Sequence, residues 1–189
     1  LGLLNGQGVT LSVQDQKKQL QDIKDVHDIA GFKSAVKANY EWLHSNFNKE
    51  SVDYLVVARS DFTDALLCHA WQLLGLDKEP ALSLCAVGGY GRGQLQPYSD
   101  IDLLILSEKK VNKSVEERLG NFITLLWDVK LEIGQAVRTV KETIQLAKSD
   151  ITIATNLVEA RILCGCEDTF VQLIDKVNNP KVWSSKDFF

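Results

Sequence analysis

AVGGYGRGQLQPYSDIDLLIL, residues 86–106, is the stretch whose reading decides the fold. Leu82 to Val87 make an apolar run halted by Gly88 and Gly89, the pattern of a strand entering a tight turn. Gly88, Gly89, Gly91 and Gly93 fall within six residues, so the backbone can take positive φ and approach a ligand with no Cβ in the way. Arg92 sets a planar cationic fork, suited to phosphate, among them. After Pro97 the chain reads Ser99, Asp100, Ile101, Asp102 and then Leu103 to Leu106, the composition of a second strand buried on both faces.

In an extended chain, side chains two residues apart point the same way. Asp100 and Asp102 therefore project together from the mouth of this strand while Ile101 turns into the core. Two carboxylates held side by side repel unless a positive charge lies between them. A hard divalent cation such as Mg²⁺, held by carboxylates and by substrate phosphates, fits that place, and the chemistry it predicts is phosphoryl transfer. An Asp-x-Asp alone also suits an ordinary turn, and a glycine-rich turn alone an ordinary hairpin, so the weight rests on their order. Other glycine motifs fit poorly: there is no Gly-Lys-Ser/Thr for a P-loop and no G-x-G-x-x-G opening a helix with a downstream ribose acid.

The order Gly-Gly, Gly-Arg, Pro, Ser-Asp-x-Asp between two apolar strands resembles the DNA-polymerase-β-like nucleotidyltransferase superfamily. That resemblance implies an α+β fold, a small mixed β-sheet flanked by helices. In it Gly88, Gly89, Gly91, Arg92 and Ser99 would hold the triphosphate, and Asp100 and Asp102 would bind the metal. A third carboxylate in this superfamily comes from a neighbouring strand.

Two positions compete for it. Leu131, Ile133, Ala136, Val137 and Val140, interrupted by Gly134, read as a strand with a bend or bulge. Glu132 alternates with those apolar neighbours and so can share a sheet face with the Asp pair. Asp128, at the end of the preceding helix, is the alternative third acid; for either, an ordinary surface acid is the plain reading. Arg138 closes the strand and would bring a cation near the phosphates, with pairing to a sheet-edge carboxylate an equal reading.

Composition narrows the class. With 189 residues, 45% of them hydrophobic, the chain can bury one sizeable core. A net charge of −4 argues against broad nucleic-acid binding, which needs a basic face. Cys68, Cys85, Cys164 and Cys166 lack zinc or thioredoxin-type spacing and read as reduced, mostly buried thiols. His27, His44 and His69 are scattered, so histidine-based metal hydrolysis has no ligand set. No apolar run is long enough to span a membrane and no secretion signal is visible, which together place the protein in the cytoplasm with no membrane partner. Methionine is absent, so the chain reads as a piece of something longer.

Outside the central stretch, Leu1 to Thr10 is expected to be a loose leader and Gln14 to Asp25 a short helix or none. Phe32, Ala35, Val36, Tyr40, Leu43 and Phe47 recur at helical spacing, and Ser51 to Leu74 forms a second apolar stripe ending at Gly75. The two are expected to pair as an antiparallel hairpin, with Arg59 and Asp61 solvated. Ser114 and Glu117 suggest a capping box opening a helix to about Trp127. Ile151 to Leu163 is read as a helix, with Asn156, Glu159 and Arg161 on its polar side and Gly165 ending it; Glu167 to Val177 is one more. The organisation expected is therefore an N-terminal helical extension (1–78), a nucleotidyltransferase core (79–148) and a C-terminal helical segment (149–189).

Along LLWDVKLEIG, AVRTVKE, SDITIATNLVEARILCG and VWSSKDFF the likeness sharpens. These runs look like the amino-terminal domain of the bacterial bifunctional uridylyltransferase/uridylyl-removing enzymes of nitrogen regulation. That resemblance implies transfer of UMP from UTP to a tyrosine of the PII signal protein, with release of pyrophosphate and with Mg²⁺ ions on Asp100, Asp102 and Glu132. The chain departs from the family pattern at Gln94, where an acid commonly follows Gly-Arg-Gly, and at Gln135, where a histidine commonly stands. The family's HD hydrolase and glutamine-sensing ACT domains are not expected within this stretch. The competing readings are a catalytically silent module that binds PII or a nucleotide, and another nucleotidyltransferase such as a glutamine synthetase adenylyltransferase relative or an antibiotic-modifying enzyme.

Overall fold

The computed structural model describes residues 12–178. Leu1 to Thr10 and the final VWSSKDFF run lie outside them. Three helices come first: α1 (Val13–Asp22), α2 (Ile29–Asn46) and α3 (Val52–Leu73). Each begins where a side-chain oxygen takes up an orphan backbone N–H: Ser12 accepts from Asp15 N, Asp28 from Gly31 N and Ser51 from Tyr54 N. The polar Gln14–Asp25 stretch is thus helical over most of its length. α2 and α3 pack together as expected of a hairpin. α1 lies against both through Asn39 Nδ2 donating to Gln16 Oε1 at 2.8 Å in the interior and a Lys17–Asp61 pair at 3.6 Å.

The exposed face of α2 differs from its expected stripe. Tyr40 and Phe47 are each 62% exposed, whereas Trp42 and Asn39 are buried. The helix turns its Trp42 edge toward Leu55 and Ala58 of α3, and this rotation leaves Tyr40 outside.

Four strands form one mixed sheet in the order β3-β2-β1-β4, with β1 (Leu82–Ala86), β2 (Ile101–Ser107), β3 (Ile133–Thr139) and β4 (Arg161–Gly165). β1 runs antiparallel to β2 and β4, and β2 runs parallel to β3. A single helical turn, α4 (Gly88–Gly91), follows β1; α5 (Lys113–Asp128) joins β2 to β3. α6 (Val140–Ser149) and α7 (Ile151–Val158) precede β4, and α8 (Glu167–Val177) follows it.

Alternation along β1 and β2 sorts the layers. Leu82, Leu84, Ala86, Ile101, Leu103 and Ile105 face a core shared with α1, α2, α3 and α5. Cys85, Leu104 and Leu106 face a second core built with α6, α7 and α8. β2 is therefore covered on both faces, as its unbroken apolar run predicts.

Three local readings are corrected. The residues after Val158 do not continue a helix: Arg161 to Gly165 pair with β1 as β4, so the C-terminal segment contributes a strand to the sheet. Gly165 ends that strand, not a helix, with φ +98°, and an added Cβ would stand 2.3 Å from the Leu82 carbonyl oxygen. α5 opens two residues early, on Asn112, whose side chain accepts from Val115 N at 3.0 Å, so Ser114 lies inside the helix. β3 shows no bulge against β2; its register runs unbroken from Ile133 to Thr139, and the sheet's irregularity lies between β1 and β4 at Leu84/Cys85.

Trp71 of α3 meets Phe122 of α5 edge-on, ring centroids 5.3 Å apart, at the centre of the larger core, both fully buried. Trp71→Ala is expected to lower unfolding stability by about 3–5 kcal/mol, read from urea denaturation midpoints at constant m.

Candidate active site

Strand register builds the site. β2 and β3 pair Asp102 with Gly134 and Ile101 with Ile133, and Ile101 N donates to the Glu132 carbonyl at 2.9 Å, which carries the register back to Asp100 opposite Glu132. Parallel partners share a face, so Asp102, Gly134, Ala136 and Arg138 look toward α6 and α7.

Gly134 has a steric reason that its sequence reading as a bend did not supply. A Cβ built there would lie 2.6 Å from Asp102 Oδ1. On the other side, a Cβ on Gly88, whose φ is +56°, would lie 3.2 Å from Asp102 Oδ2 and 3.5 Å from Asn156 Oδ1. Two glycines from two elements thus leave the room that the Asp102 carboxylate occupies.

Asp102 lines a cleft of about 220 Å³ with Gly134, Arg138, Asn156 and the apolar Val87 and Ile153. Burial pushes its carboxyl above the usual range, and the neighbouring Asp100 charge pushes it further. The two acids therefore feel one another, as a shared strand face requires. Their oxygens are hard donors with room beside them, a donor set that suits a divalent cation completed by phosphate oxygens. Among the described residues, no group of three or more His, Cys, Asp or Glu side chains gathers at metal-holding spacing.

The other nominated residues fall at different distances from this pair. Glu132 adjoins the first residue of β3, and its charge acts on the half-buried Arg59 of α3. Asp128 ends α5 on the exposed surface. Arg138 stands four residues beyond Gly134, roughly 13 Å along the strand at 3.3 Å per residue, on the same face. Ser99 and Asp100 are exposed, in the loop leading to β2. Gln135 pairs with Leu103, one step from the Asp102 level, and Gln94 is exposed beyond the glycine turn.

The glycine turn is the single-turn helix α4 and not an open loop. Gly89 is exposed there, while Gly91 is buried: an added Cβ would meet the Glu159 carbonyl oxygen at 2.1 Å. Gly91 thus lets α7's end close on the turn. Arg92 pairs with Glu159 at 2.6 Å, so its fork already has a carboxylate partner.

Several contributors were not visible in the pattern. Arg59, read as solvated, instead donates to the Gln96 carbonyl, and Leu95 N donates to Val56 O at 3.1 Å, so α3 pins the loop that delivers the acids. Burial holds the Arg59 pKa below its ordinary value, with Glu132 opposing that drop. Tyr98 stands in that loop at φ +65° and 90% exposed, a left-handed backbone costing a side-chain-bearing residue roughly 1–2 kcal/mol. Asn156 faces the cleft from α7; its helical spacing marked only a polar side.

All four cysteines are free, Cys85 buried and the others half-buried; burial pushes the Cys85 thiol up to about 12, so it stays protonated. No helix among the described residues is long and apolar enough to cross a membrane.

Residues 74–162, which span both acids and both glycine positions, match the nucleotidyltransferase domain family. The chain carries a nucleotidyltransferase domain. It is 50% identical over 143 residues to the bifunctional uridylyltransferase/uridylyl-removing enzyme of Vibrio cholerae serotype O1, covering 76% of this chain and 16% of the relative. The enzyme of the same name from Vibrio parahaemolyticus serotype O3:K6 is 44% identical over 179 residues, covering 95% of this chain and 20% of the relative. That from Pseudoalteromonas translucida is 41% identical over 173 residues, 92% of this chain and 20% of the relative. The nucleotidyltransferase chain thus spans about a fifth or less of the length of these relatives.

A carboxyl raised by burial and by a like charge opposes folding when ionised: the native state binds its proton more tightly than the unfolded one, so stability falls as pH rises above the ordinary carboxylate pKa of 3.8. Asp102→Asn in the nucleotidyltransferase domain is accordingly expected to match or exceed the wild-type Tm at pH 7 in EDTA. The gap should shrink toward pH 4, as followed by thermal melts across that range.

Proposed function

We propose that this domain transfers UMP from UTP to a tyrosine hydroxyl of a PII-type signal protein and releases pyrophosphate. The observation that carries the reading is the Asp100–Asp102 pair at the mouth of β2, with Asp102 in a pocket that two glycines keep open and the Asp100 charge acting on it. The name shared by the relatives gives the nucleotide class, and their uridylyl-transfer activity gives the group moved.

The chemistry asks little covalent work of the chain. The tyrosine oxygen bonds to the α-phosphorus of UTP, the bond from that phosphorus to the β-bridging oxygen breaks, and the phenolic proton passes to solvent. The nucleophile belongs to the partner, so the domain need supply none of its own.

Asp100 and Asp102 would hold Mg²⁺, with Glu132 the proposed third ligand; bound there, the ion supplies positive charge that acidifies the attacking hydroxyl and steadies the leaving pyrophosphate. Asp102 is the acid that lines the cleft, in the room that Gly88 and Gly134 leave for its carboxylate. The exposed Gly89, beside Gly88, would give the triphosphate a backbone surface without side chains, Gly91 packs behind it against Glu159, and Arg92 offers its fork once Glu159 shares it. Ser99, exposed beside Asp100, is assigned to the phosphate tail. Arg138 lies farther along the same cleft, a cation for the outer phosphates or for the partner.

A second reading, a module that binds nucleotide or PII without transfer, draws on one observation: the three acids do not gather at metal-holding spacing among the described residues. One incubation separates the readings. The chain is mixed with Mg²⁺, PII and either labelled UTP or labelled ATP. Label from UTP on PII is the expected result; label from ATP alone, on another protein, selects the adenylyltransferase alternative, and binding with no transfer selects the silent module.

Asp100→Asn and Asp102→Asn are each expected to lower transfer at least a thousandfold, roughly the effect of losing a principal charge-stabilising group, with the fold intact by circular dichroism. Full activity in either variant would remove the metal assignment.

Gly134→Ala tests the pocket separately. The new methyl forces the Asp102 carboxylate aside, and transfer is expected to fall roughly a hundredfold at nearly constant Tm, in keeping with the cost of an ångström-scale misplacement.

A further inference from the structure

The corner between α7 and β4, residues Glu159 to Arg161, touches the glycine turn in three ways. The Glu159 carbonyl packs against the Cα of Gly91 so closely that no Cβ would fit. The Glu159 carboxylate holds Arg92 at 2.6 Å. Arg161 grips Asp64 of α3 with both ends of its fork, Nη1 to Oδ2 at 2.7 Å and Nη2 to Oδ1 at 2.9 Å. Asp64 Oδ1 in turn accepts the hydroxyl of Tyr90, the residue at the centre of the turn.

The Arg161 guanidinium also lies over the Tyr90 ring, 5.3 Å from its centroid, and Nη2 reaches Ser60 Oγ at 3.3 Å. Tyr90 is 1% exposed, and the Asp64 and Arg161 side chains are only 25% and 30% exposed, so this is an interior cluster.

None of these groups faces the Asp100–Asp102 cleft. Their common product is the placement of α4. A four-residue helix has too few internal hydrogen bonds to hold its own orientation, and this one is further softened by its glycines. Its direction is set by what grips Tyr90 and Arg92.

We propose that Arg161 is a positioning residue for the nucleotide: acting through Asp64 and the Tyr90 hydroxyl, it fixes the glycine turn at the angle from which the turn's backbone meets the triphosphate. This rests on the reading of the turn as the triphosphate site. It assigns a role in nucleotide binding to α3, α7 and β4, elements that supply no ligand to the proposed metal.

The test uses the whole 189-residue chain with two variants. Tyr90→Phe removes the hydroxyl and keeps the buried ring. Arg161→Lys keeps the charge and loses the fork, since a lysine cannot bridge both Asp64 oxygens while covering Tyr90. In UMP transfer to PII, the KM for UTP is expected to rise roughly five- to tenfold in each, with kcat and the KM for PII within about twofold, the split that distinguishes nucleotide placement from damage elsewhere.

Amide exchange without nucleotide, over residues 88–92, is expected to quicken roughly tenfold in both variants while β2 and α5 keep wild-type protection. A drop in kcat with the UTP KM unmoved is what a purely structural clamp gives, and it overturns the proposal. Unchanged exchange at the turn in both variants overturns it as well. A wild-type chain that transfers nothing speaks against the assigned reaction, and the exchange result still decides whether Arg161 holds the turn.

Discussion

The register between β2 and β3 is the constraint on which the rest of this domain depends. β2 is covered on both faces, so a slip of one residue would turn Asp102 away from its cleft and into the core lined by Ile101, Leu103 and Ile105. An ionised carboxylate in that core would have no compensating partner. The two cores therefore fix the phase of the strand, and the phase fixes the acids. Gly134 is the place where this phase becomes chemistry, because the residue paired with Asp102 has no side chain to contest the cleft.

That arrangement carries a cost in the free protein. Two like charges two residues apart, one of them partly buried, oppose each other and oppose burial. The fold sustains them by surrounding the strand with apolar contacts and by leaving Asp100 at the exposed end, where water screens it. The same geometry that makes the pair unfavourable alone makes it receptive to a cation, so stability and receptivity are set against each other at one point in the sheet.

Much of this was legible in the chain, and the misses have physical causes. The strand–glycine turn–strand order around residues 82–106 could be read because its periods are short and its punctuation dense. Helices α2, α3, α5 and α8 announced themselves by apolar spacing and by stop signals. β4 did not: Ile151 to Leu163 carries a polar side that reads as one helix, and only the pairing of Arg161–Gly165 with β1 turns its end into a strand, a tertiary effect that local preference cannot foresee. The opening of α5 was misplaced because Asn112 and Ser114 are both acceptable caps. Glu132 could be placed on the face of the acid pair from alternation alone, but its attraction to Arg59 could not, since the two residues are far apart in sequence. Arg92 was read as free for phosphate for the same reason; its partner Glu159 lies beyond the reach of any local pattern.

The helices before the sheet belong to the same account. The larger core runs without interruption from Leu20 and Phe32 through Leu66 and Trp71 to Leu84, Leu103 and Phe122. α3 meets the candidate site in three places: Val56 and Arg59 hold the loop that ends in Ser99 and Asp100, and Asp64 holds the centre of the glycine turn. These three positions lie within little more than two turns of one helix. A rigid helix contacting both halves of a site fixes the distance between them, and here those halves are the acids and the turn. If α3 moved, the gap between the turn and the acids would change at once. The N-terminal helices therefore act as the ruler against which the turn and the acids are set.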